Sequence, residues 1–342
     1  MAVSPGSKVS RLLLLALLWS GLLLQPLAGE GESRTGETPA QWLGRMNRSV
    51  ANLSFEGNFV YLSGRFLEAM RLRHQIVDGR PRESLFSLTG QPREIVRDAD
   101  VLTITTWVDG KPQTISHPSS GRLSPLKPLE ADALQHYYHL MMGKPARIAG
   151  REGVVVALVP RDDLRYGYRL TLDRESALPL DLTVMDGEGN LVSRIMFTQL
   201  KLQGGDRGNA PDDESQAAEQ VPVSRPPAVR MAAARGGDGS VSNGQEGSSG
   251  WTFGELPAGF RLVSHKYNER GRQEHFVFSD GLATISAYLE PLGEGDRPFN
   301  GETSLGSVNA YGRQLDGYQL TVVGEVPHRT LQLLANALRE KE

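Results

Sequence analysis

A low-complexity stretch from residue 204 to residue 250 is the feature that most constrains how this chain can fold. It reads GGDRGNAPDDESQAAEQVPVSRPPAVRMAAARGGDGSVSNGQEGSSG and has no apolar periodicity. Such a composition cannot bury enough apolar surface to offset the entropy lost on ordering, so residues 204–250 are predicted to be a flexible linker. As a random coil of about 47 residues, its ends would lie roughly 35–40 Å apart. Residues 29–203 and 251–342 are therefore predicted to form two separate domains.

The N-terminus has the layout of a secretory signal peptide. Lys8 and Arg11 precede an apolar run from Leu12 to Leu24, and small residues follow at Ala28 and Gly29. Thirteen helical residues span only about 20 Å, whereas a hydrocarbon core is roughly 30 Å thick. A cleaved signal peptide over residues 1–28 is thus favoured over a membrane anchor, and the mature chain is expected to be exported and soluble.

Composition excludes several classes of chemistry. The chain contains no cysteine, which rules out disulfides, thiolate metal sites, a nucleophilic thiol and an acylated lipoprotein N-terminus. Its formal net charge of −3 is close to balance and provides no basic field for nucleic acid. No nucleic-acid partner is therefore expected.

The first domain is predicted to be one long antiparallel sheet with two helices. Thr38 and Pro39 are typical of a helix start, and the apolar residues that follow recur at helical spacing up to Leu53. From Phe55 onward the apolar period becomes two, and short segments ended by Gly, Pro or Asp predict a meander. A second helix is predicted over residues 129–142, followed by about four strands and a hairpin turn at Asp186–Asn190.

An open sheet with helices on its concave face is a half barrel, whose interior either fills with side chains or leaves an apolar ligand cavity. The residues leave this choice open. Beyond the linker, further strands and a closing helix in HRTLQLLANALREKE predict a smaller α+β domain. The fold class is therefore α+β in both parts.

Three groups of residues are candidates for contacting a lipid or a protein partner. Arg71 and Arg73 alternate with apolar residues; they could bind phosphate or acidic peptide, or simply form the outer face of a strand. A soft apolar stripe on the predicted second helix could adapt to acyl chains, although core packing is the more ordinary interpretation. Aromatic residues after the linker could anchor a peptide or form the core of the small domain. The last two groups are Leu134, Tyr137, Tyr138, Met141 and Met142, and then Trp251 and Phe253, with Phe260 and Tyr267 nearby.

Metal binding and catalysis are not expected. His136 and His139 fall within one turn of the predicted helix, but no further ligand accompanies them, so a solvated pair is favoured. The G-x-S-x-G motif of a nucleophile elbow is absent, and no Ser, His and Asp set stands out. No cofactor is predicted.

Five strings of the chain carry a family resemblance. Two are long: MRLRHQIVDGRPRESLFSLTGQPREIVRD (70–98) and DDLRYGYRLTLDRESALPLDLTVMDGEGNLV (162–192). Three are short and lie in the second domain: ELPAGF, FSDGLATIS and TVVGEVP. Together they resemble the MucB/RseB family of regulators of the envelope-stress sigma factor. Each string is weak alone, but their order and the two-domain layout make the combination specific. The linker is longer here than in the family pattern, so the resemblance does not imply how the two domains are arranged.

The resemblance implies an N-terminal half barrel similar to lipoprotein carriers of the LolA type. It also implies a function in the periplasm: binding the periplasmic segment of a MucA/RseA-like anti-sigma factor, shielding it from proteolysis, and releasing it when lipopolysaccharide or another acyl-chain ligand binds. Two other classes remain open from the residues, a periplasmic lipid or lipoprotein carrier without a regulatory partner and an envelope hydrolase. A homo-oligomer is also compatible with the sequence.

Overall fold

A computed structural model describes residues 36–98, 101–118, 129–203, 250–268 and 272–341. The predicted signal peptide, and the predicted linker apart from Gly250, lie outside these residues. We call residues 36–203 the N-terminal lobe and residues 250–341 the C-terminal lobe. Each lobe has its own sheet and its own hydrophobic core, and the described residues from Glu37 onward fall within one compact unit.

The first helix begins and packs as its sequence predicts. Helix α1 spans Pro39–Asn52, and Thr38 caps it: the Thr38 hydroxyl accepts from the Gln41 backbone N–H, and the Gln41 side chain accepts from the Thr38 N–H. One side of α1 is buried in the core of the N-terminal lobe, through Trp42, Leu43, Met46 and Val50. The cap fixes where the helix starts, and the apolar stripe fixes which side is buried.

The N-terminal lobe is built on an open antiparallel sheet of twelve strands, which confirms the predicted long sheet. The strand order is β6-β5-β4-β3-β2-β1-β12-β11-β10-β9-β7, with β8 paired to β9. The first and last strands pair at the centre, so two meanders extend outward from them. The bounds are β1 Phe55–Ser63, β2 Phe66–Val77, β3 Arg80–Ser87, β4 Arg93–Asp98, β5 Val101–Val108, β6 Lys111–Pro118, β7 Tyr138–Met142, β8 Ala146–Ile148, β9 Arg151–Pro160, β10 Gly167–Asp173, β11 Pro179–Met185 and β12 Leu191–Leu202.

Aspartate–glycine pairs form the turns of two hairpins in the large sheet. Asp78 and Gly79 join β2 to β3, and Asp109 and Gly110 join β5 to β6. All four residues have positive φ, between 50° and 74°. A two-residue turn with positive φ at both positions matches the twist of the flanking strands and suits Asp-Gly. In the adjacent β1–β2 pair, Phe55, Phe59, Met70 and Leu72 share the buried face of the sheet, which we call the inner face.

The prediction of a second helix over residues 129–142 is wrong beyond the first turn. Helix α2 covers only Ala131–Leu134, and Tyr138–Met142 forms the edge strand β7, which pairs with β9. The apolar residues of YYHLMM fit helical and extended patterns alike, and the unpaired edge of β9 decides between them by offering backbone hydrogen bonds. Met141 and Met142 therefore lie on an edge strand and are exposed.

The C-terminal lobe has a six-stranded antiparallel sheet covered by one long helix. The predicted closing helix ends at Ala337, earlier than expected, because Leu338–Glu340 pairs as a strand with Trp251–Phe253. One edge strand, β17, was not predicted. The bounds are β13 Trp251–Phe253, β14 Arg261–Asn268, β15 Gln273–Ser279, β16 Thr284–Pro291, β17 Gly301–Leu305, β18 Val308–Leu315, β19 Tyr318–Gly324, α3 His328–Ala337 and β20 Leu338–Glu340.

Two glycine substitutions should change stability in opposite directions. A Cβ at Gly57 would lie 2.6 Å from the carbonyl oxygen of Gln199 and 2.7 Å from the Phe197 ring, so Gly57→Ala is expected to lower the free energy of unfolding by about 1–3 kcal/mol. Gly44 lies inside α1, where the nearest atom would be 3.5 Å away, at Arg48. Gly44→Ala is expected to raise the free energy of unfolding by about 0.5–1 kcal/mol. Urea unfolding of the two variants checks this, and equal shifts would show that the close approach at Gly57 does not matter.

Candidate binding groove

Two cavities lie between the inner face of the large sheet and the C-terminal lobe. The first has a volume of about 190 Å³. Its wall in the N-terminal lobe comes from α1 and strands β9 to β11, and its wall in the C-terminal lobe comes from the turn before β16 and the residue after β19. The lining residues are Met46, Leu129, Leu158, Tyr168, Leu170, Leu182, Leu282, Ala283, Thr284 and Glu325.

The second cavity is larger, with a volume of about 370 Å³. It lies over the central strands β1, β2, β3, β11 and β12, and the turn before β18 bounds it on the other side. The lining residues are Phe59, Tyr61, Met70, Leu85, Leu182, Val184, Ser193, Ile195, Ser307, Val308 and Glu325. Leu182 and Glu325 line both cavities, so we treat the two cavities as one inter-lobe groove.

The alternation of side chains along the strands explains why the groove is apolar. Residues two apart on a strand point to the same face, so Tyr168 and Leu170, or Phe59 and Tyr61, are presented together. An open sheet exposes these inner side chains unless another element covers them. The C-terminal lobe covers part of these inner side chains, and the groove is the space between the two lobes where the side chains stay uncovered.

Of the described residues that line the groove, Glu325 is the only one with a charged side chain. It is half-buried, and the Ser193 hydroxyl donates a hydrogen bond to Glu325 Oε1 at 3.1 Å. Burial, followed by the nearby charge of Glu325, raises the pKa of Tyr168 well above its ordinary value. The Tyr168 hydroxyl in the groove wall is therefore neutral at any physiological pH.

A fully buried arginine joins the lobes beside the groove. Arg165, just before β10, donates from Nε to Asp280 Oδ2 at 3.0 Å and from Nη2 to the carbonyl oxygen of Ala258 at 2.5 Å, both in the C-terminal lobe. Its Nη1 donates to Asp162 Oδ2 at 2.5 Å. Asp280 Oδ1 meanwhile accepts from two backbone N–H groups of its own turn, those of Leu282 and Ala283. The buried charges are thus paired and hydrogen-bonded, as burial requires.

Aromatic rings surround this arginine. The guanidinium carbon lies 4.7 Å from the Tyr137 ring centre, 5.9 Å from that of Tyr138 and 5.4 Å from that of Phe260. The Tyr138 hydroxyl donates to Asp280 Oδ2 at 3.4 Å, and burial raises the pKa of Tyr138 far above its usual range. Tyr138 therefore stays a neutral donor to the Asp280 carboxylate.

Polar contacts continue along the rest of the interface. The Thr330 hydroxyl donates to the carbonyl oxygen of Leu164 at 2.6 Å, and Asn309 Nδ2 donates to the Tyr166 hydroxyl at 2.8 Å. At the other end of the groove, the Ser307 backbone N–H donates to Ser63 Oγ at 2.7 Å. An exposed ion pair, Arg329 with Asp163, lies at the rim.

Arg71 and Arg73 lie outside the groove. Both are exposed on β2, on the face opposite Met70 and Leu72. Arg73 Nε donates to Glu56 at 2.9 Å, and Arg71 Nε donates to Asn58 at 3.3 Å. Their role in binding stays a prediction, and it would concern the outer face of the sheet.

The predicted apolar stripe is divided among three locations. Leu134 and Tyr138 are buried in the core, Tyr137 packs on Arg165, and Met141 and Met142 are exposed on edge strand β7. None of the five lines the groove. The structure thus favours core or interface packing for three of them and leaves the two methionines as an exposed pair.

The aromatic residues after the linker contribute to the core of the C-terminal lobe. Trp251 packs edge-on against Tyr318 with ring centres 5.5 Å apart, and Phe253 packs against Phe276 and Phe278. Phe260 is buried near Arg165, whereas Tyr267 is exposed on β14. Peptide anchoring by Trp251 and Phe253 stays a prediction, although both side chains are already engaged.

The two histidines do not share a helix face as predicted. His136 lies in the turn after α2 and contacts the carbonyl oxygen of Asp132, whereas His139 lies on β7 beside Arg161. Within the part of the chain that the structure describes, no three His, Asp or Glu side chains form a cluster suited to a metal.

The helices in those same ranges are also too short or too polar to cross a membrane.

Sequence reasoning missed Arg165, Asp280 and Glu325. All three lie in strings that carry the family resemblance: Arg165 in DDLRYGYRLTLD, Asp280 in FSDGLATIS and Glu325 in TVVGEVP. For Asp280 and Glu325 the available signal was a single charge in an otherwise uncharged string, whereas Arg165 is one of five charged residues in its string. The same three strings also contain six of the ten residues that line the first cavity.

An open sheet whose inner face meets a second lobe across an apolar groove defines a two-lobed protein of the open-sheet class. The chain belongs to the MucB/RseB family: residues 38–223 match the MucB/RseB N-terminal domain, and residues 245–339 match the MucB/RseB C-terminal domain.

Relatives of known role resemble the chain along most of its length. The sigma factor AlgU regulatory protein MucB of Pseudomonas aeruginosa is 31% identical over 316 residues, which cover 88% of this chain and 90% of MucB. The sigma-E factor regulatory protein RseB of Haemophilus influenzae is 26% identical over 324 residues, covering 93% of this chain and 95% of RseB.

Solved structures give the same result. A chain in the structure of the Pseudomonas aeruginosa MucA/MucB complex aligns with a TM-score of 0.62 at 29% identity. The alignment covers 89% of this chain and 99% of the matched chain. A crystal structure of MucB aligns with a TM-score of 0.57 at 30% identity, covering 89% of this chain and 98% of the other.

Proposed function

We propose that this protein is an exported periplasmic regulator that keeps a stress sigma factor inactive. It does so by binding the periplasmic segment of a MucA/RseA-like anti-sigma factor and shielding that segment from proteolysis. Membership of the MucB/RseB family across both lobes, and similarity to a MucB that was crystallised with MucA, support the proposal. The protein acts by binding and not by catalysis.

The inter-lobe groove is the observation that carries this function. Its walls are apolar, and both lobes contribute to them, so a bound segment would be covered from two sides. Cleavage requires that a segment be accessible, and a segment held between the lobes is withdrawn from a protease. Leu182 lies where the two cavities meet and would contact a segment that occupies both.

Release follows if lipopolysaccharide or another acyl-chain ligand uses the same apolar surface. Acyl chains and apolar peptide side chains are buried by the same driving force, so they compete for the groove. The signal must bind the partner-free form more tightly, and a difference of about 1–3 kcal/mol gives roughly 5- to 150-fold release. The ligand needs no catalytic step to act.

A lipid or lipoprotein carrier is the second candidate. The larger cavity, about 370 Å³, falls within the size range of small-molecule sites, roughly 300–1,000 Å³. A carrier would hold acyl cargo with no protein partner present, and partner segments would not bind.

A protease-protection assay separates the two functions. The mature chain is mixed with the periplasmic segment of the anti-sigma factor from the same organism, and cleavage of that segment is followed with and without lipopolysaccharide. We expect protection that lipopolysaccharide reverses. Leu182→Gln is expected to weaken protection, whereas Leu67→Gln, at an exposed position, should not. Absence of binding and protection, with acyl cargo retained, would support the carrier instead.

A further inference from the structure

We propose that Glu325 selects the bound segment by pairing with one of its lysine or arginine side chains. The preferred ligand would then be an extended segment with apolar residues on both sides of a basic residue. This inference rests on the proposed function, because it takes the occupant of the groove to be the anti-sigma segment.

The location of Glu325 is the first reason. It lines both cavities, so its carboxylate lies at the middle of the groove and not at its rim. A segment that fills both cavities must pass over it. The apolar walls to either side, such as Leu158 and Leu170 in one cavity and Phe59 and Ile195 in the other, would receive the residues before and after the contact.

The hydrogen-bonding state of Glu325 is the second reason. Oε1 accepts from the Ser193 hydroxyl, and within the described ranges Oε2 has no hydrogen-bond donor. Among the described residues, no Lys, Arg or His forms an ion pair with Glu325, and none lines the groove. The carboxylate therefore keeps its capacity to accept a strong, charge-assisted hydrogen bond from a ligand.

Desolvation turns this location into selectivity. An apolar segment that covers Glu325 removes water from the carboxylate and leaves the charge unpaired, which is costly. A segment with a basic residue at this point replaces the lost water by an ion pair in an environment of low dielectric constant. The groove thus disfavours wholly apolar segments and acidic ones as well.

A structural role for Glu325 makes a different prediction. Helix α3 begins at His328, and its N-terminal dipole could stabilise a carboxylate shortly before it. The hydrogen bond to Ser193 also joins the two lobes. Under a purely structural role, neutralising Glu325 would change the unfolding midpoint and leave the choice of ligand unaffected.

The experiment is a double-mutant cycle on the full mature chain. Glu325→Gln keeps the side-chain oxygen that Ser193 contacts and removes the charge. In the anti-sigma segment, each lysine and arginine is replaced by glutamine in turn, and every dissociation constant is measured with wild-type and E325Q protein. Glu290→Gln is the matched control, since Glu290 is also half-buried in the C-terminal lobe but lies outside the groove.

We expect Glu325→Gln to weaken binding about 10- to 100-fold, and one basic residue of the segment to give the same loss without adding to it. Glu290→Gln should leave binding unchanged. Tight binding in which no basic residue couples to Glu325 would overturn the inference and leave the proposed function intact. Absence of binding by the wild-type protein would overturn the proposed function, and this inference with it.

Discussion

Replacing Arg165 with methionine is expected to lower the free energy of unfolding by about 3–5 kcal/mol, because it leaves the Asp280 carboxylate charged and buried without its cation. Methionine is apolar and of comparable length, so loss of packing contributes less than loss of charge. The contact joins the two lobes, so thermal unfolding should also lose cooperativity. Calorimetry is expected to show a lower first transition and partial separation of the lobes.

Arg329→Met is the matched control for this prediction. Arg329 also pairs with an aspartate, Asp163, across the lobes, but both side chains of that pair are 63% exposed. Exposed pairs contribute little, so a change below about 1 kcal/mol is expected. The double variant Arg165→Met with Asp280→Asn removes both charges and should recover part of the loss. Equal effects of the two arginine variants would contradict the importance assigned to the buried pair.

Glu83→Gln is expected to lower the free energy of unfolding by about 3 kcal/mol, since Glu83 links two other polar side chains inside the sheet. Glu83 Oε1 lies 3.0 Å from His74 Nδ1, and Arg97 Nε donates to Glu83 Oε2 at 3.2 Å. The side chains of His74 and Glu83 are fully buried and that of Arg97 nearly so. Neutralising the carboxylate removes the negative charge that His74 and Arg97 contact in a poorly solvated location.

Glu68→Gln tests whether burial is the cause. Glu68 pairs with Arg93 on the same sheet, but both side chains are at least 40% exposed. A change below about 1 kcal/mol is expected. Urea unfolding at neutral pH compares the two variants. Should Glu83→Gln prove as mild as Glu68→Gln, the buried cluster would contribute no more than a surface pair.

Local signals account for the parts of the fold that sequence predicted well. The capping residues before α1, the change of apolar period at Phe55 and the Asp-Gly turns each act over a few residues. Each also agrees with the tertiary structure around it, so no competing interaction overrides it. The open sheet and the smaller second lobe follow from these signals.

The errors arose where distant segments decide the structure. Tyr138–Met142 is compatible with a helix until the free edge of β9 provides partners. Leu338–Glu340 likewise becomes a strand because Trp251–Phe253 lies beside it. Periodicity in a short apolar run cannot distinguish these states, since the deciding hydrogen bonds come from residues far along the chain.

The candidate groove was least predictable for the same reason. Arg165 and Asp280 are separated by 115 residues, and Ser193 and Glu325 by 132. The sequence predicted that the half barrel would either fill or leave an apolar cavity, but not that the second lobe would complete its wall. Asp280 and Glu325 were each a lone charge in their strings, but Arg165 was not distinguished from the four other charged residues of DDLRYGYRLTLD.

The most direct test of the account is whether the anti-sigma segment occupies the inter-lobe groove. The chain has no natural cysteine, so a single thiol reports on one location. Leu85 lines the groove, whereas the adjacent Phe86 is exposed and points to the opposite face of β3. The rate of thiol alkylation is measured in Leu85→Cys and Phe86→Cys, with and without a saturating amount of the segment. We expect at least about tenfold slowing at position 85 and none at position 86; unchanged alkylation at position 85 with the segment bound would contradict the account.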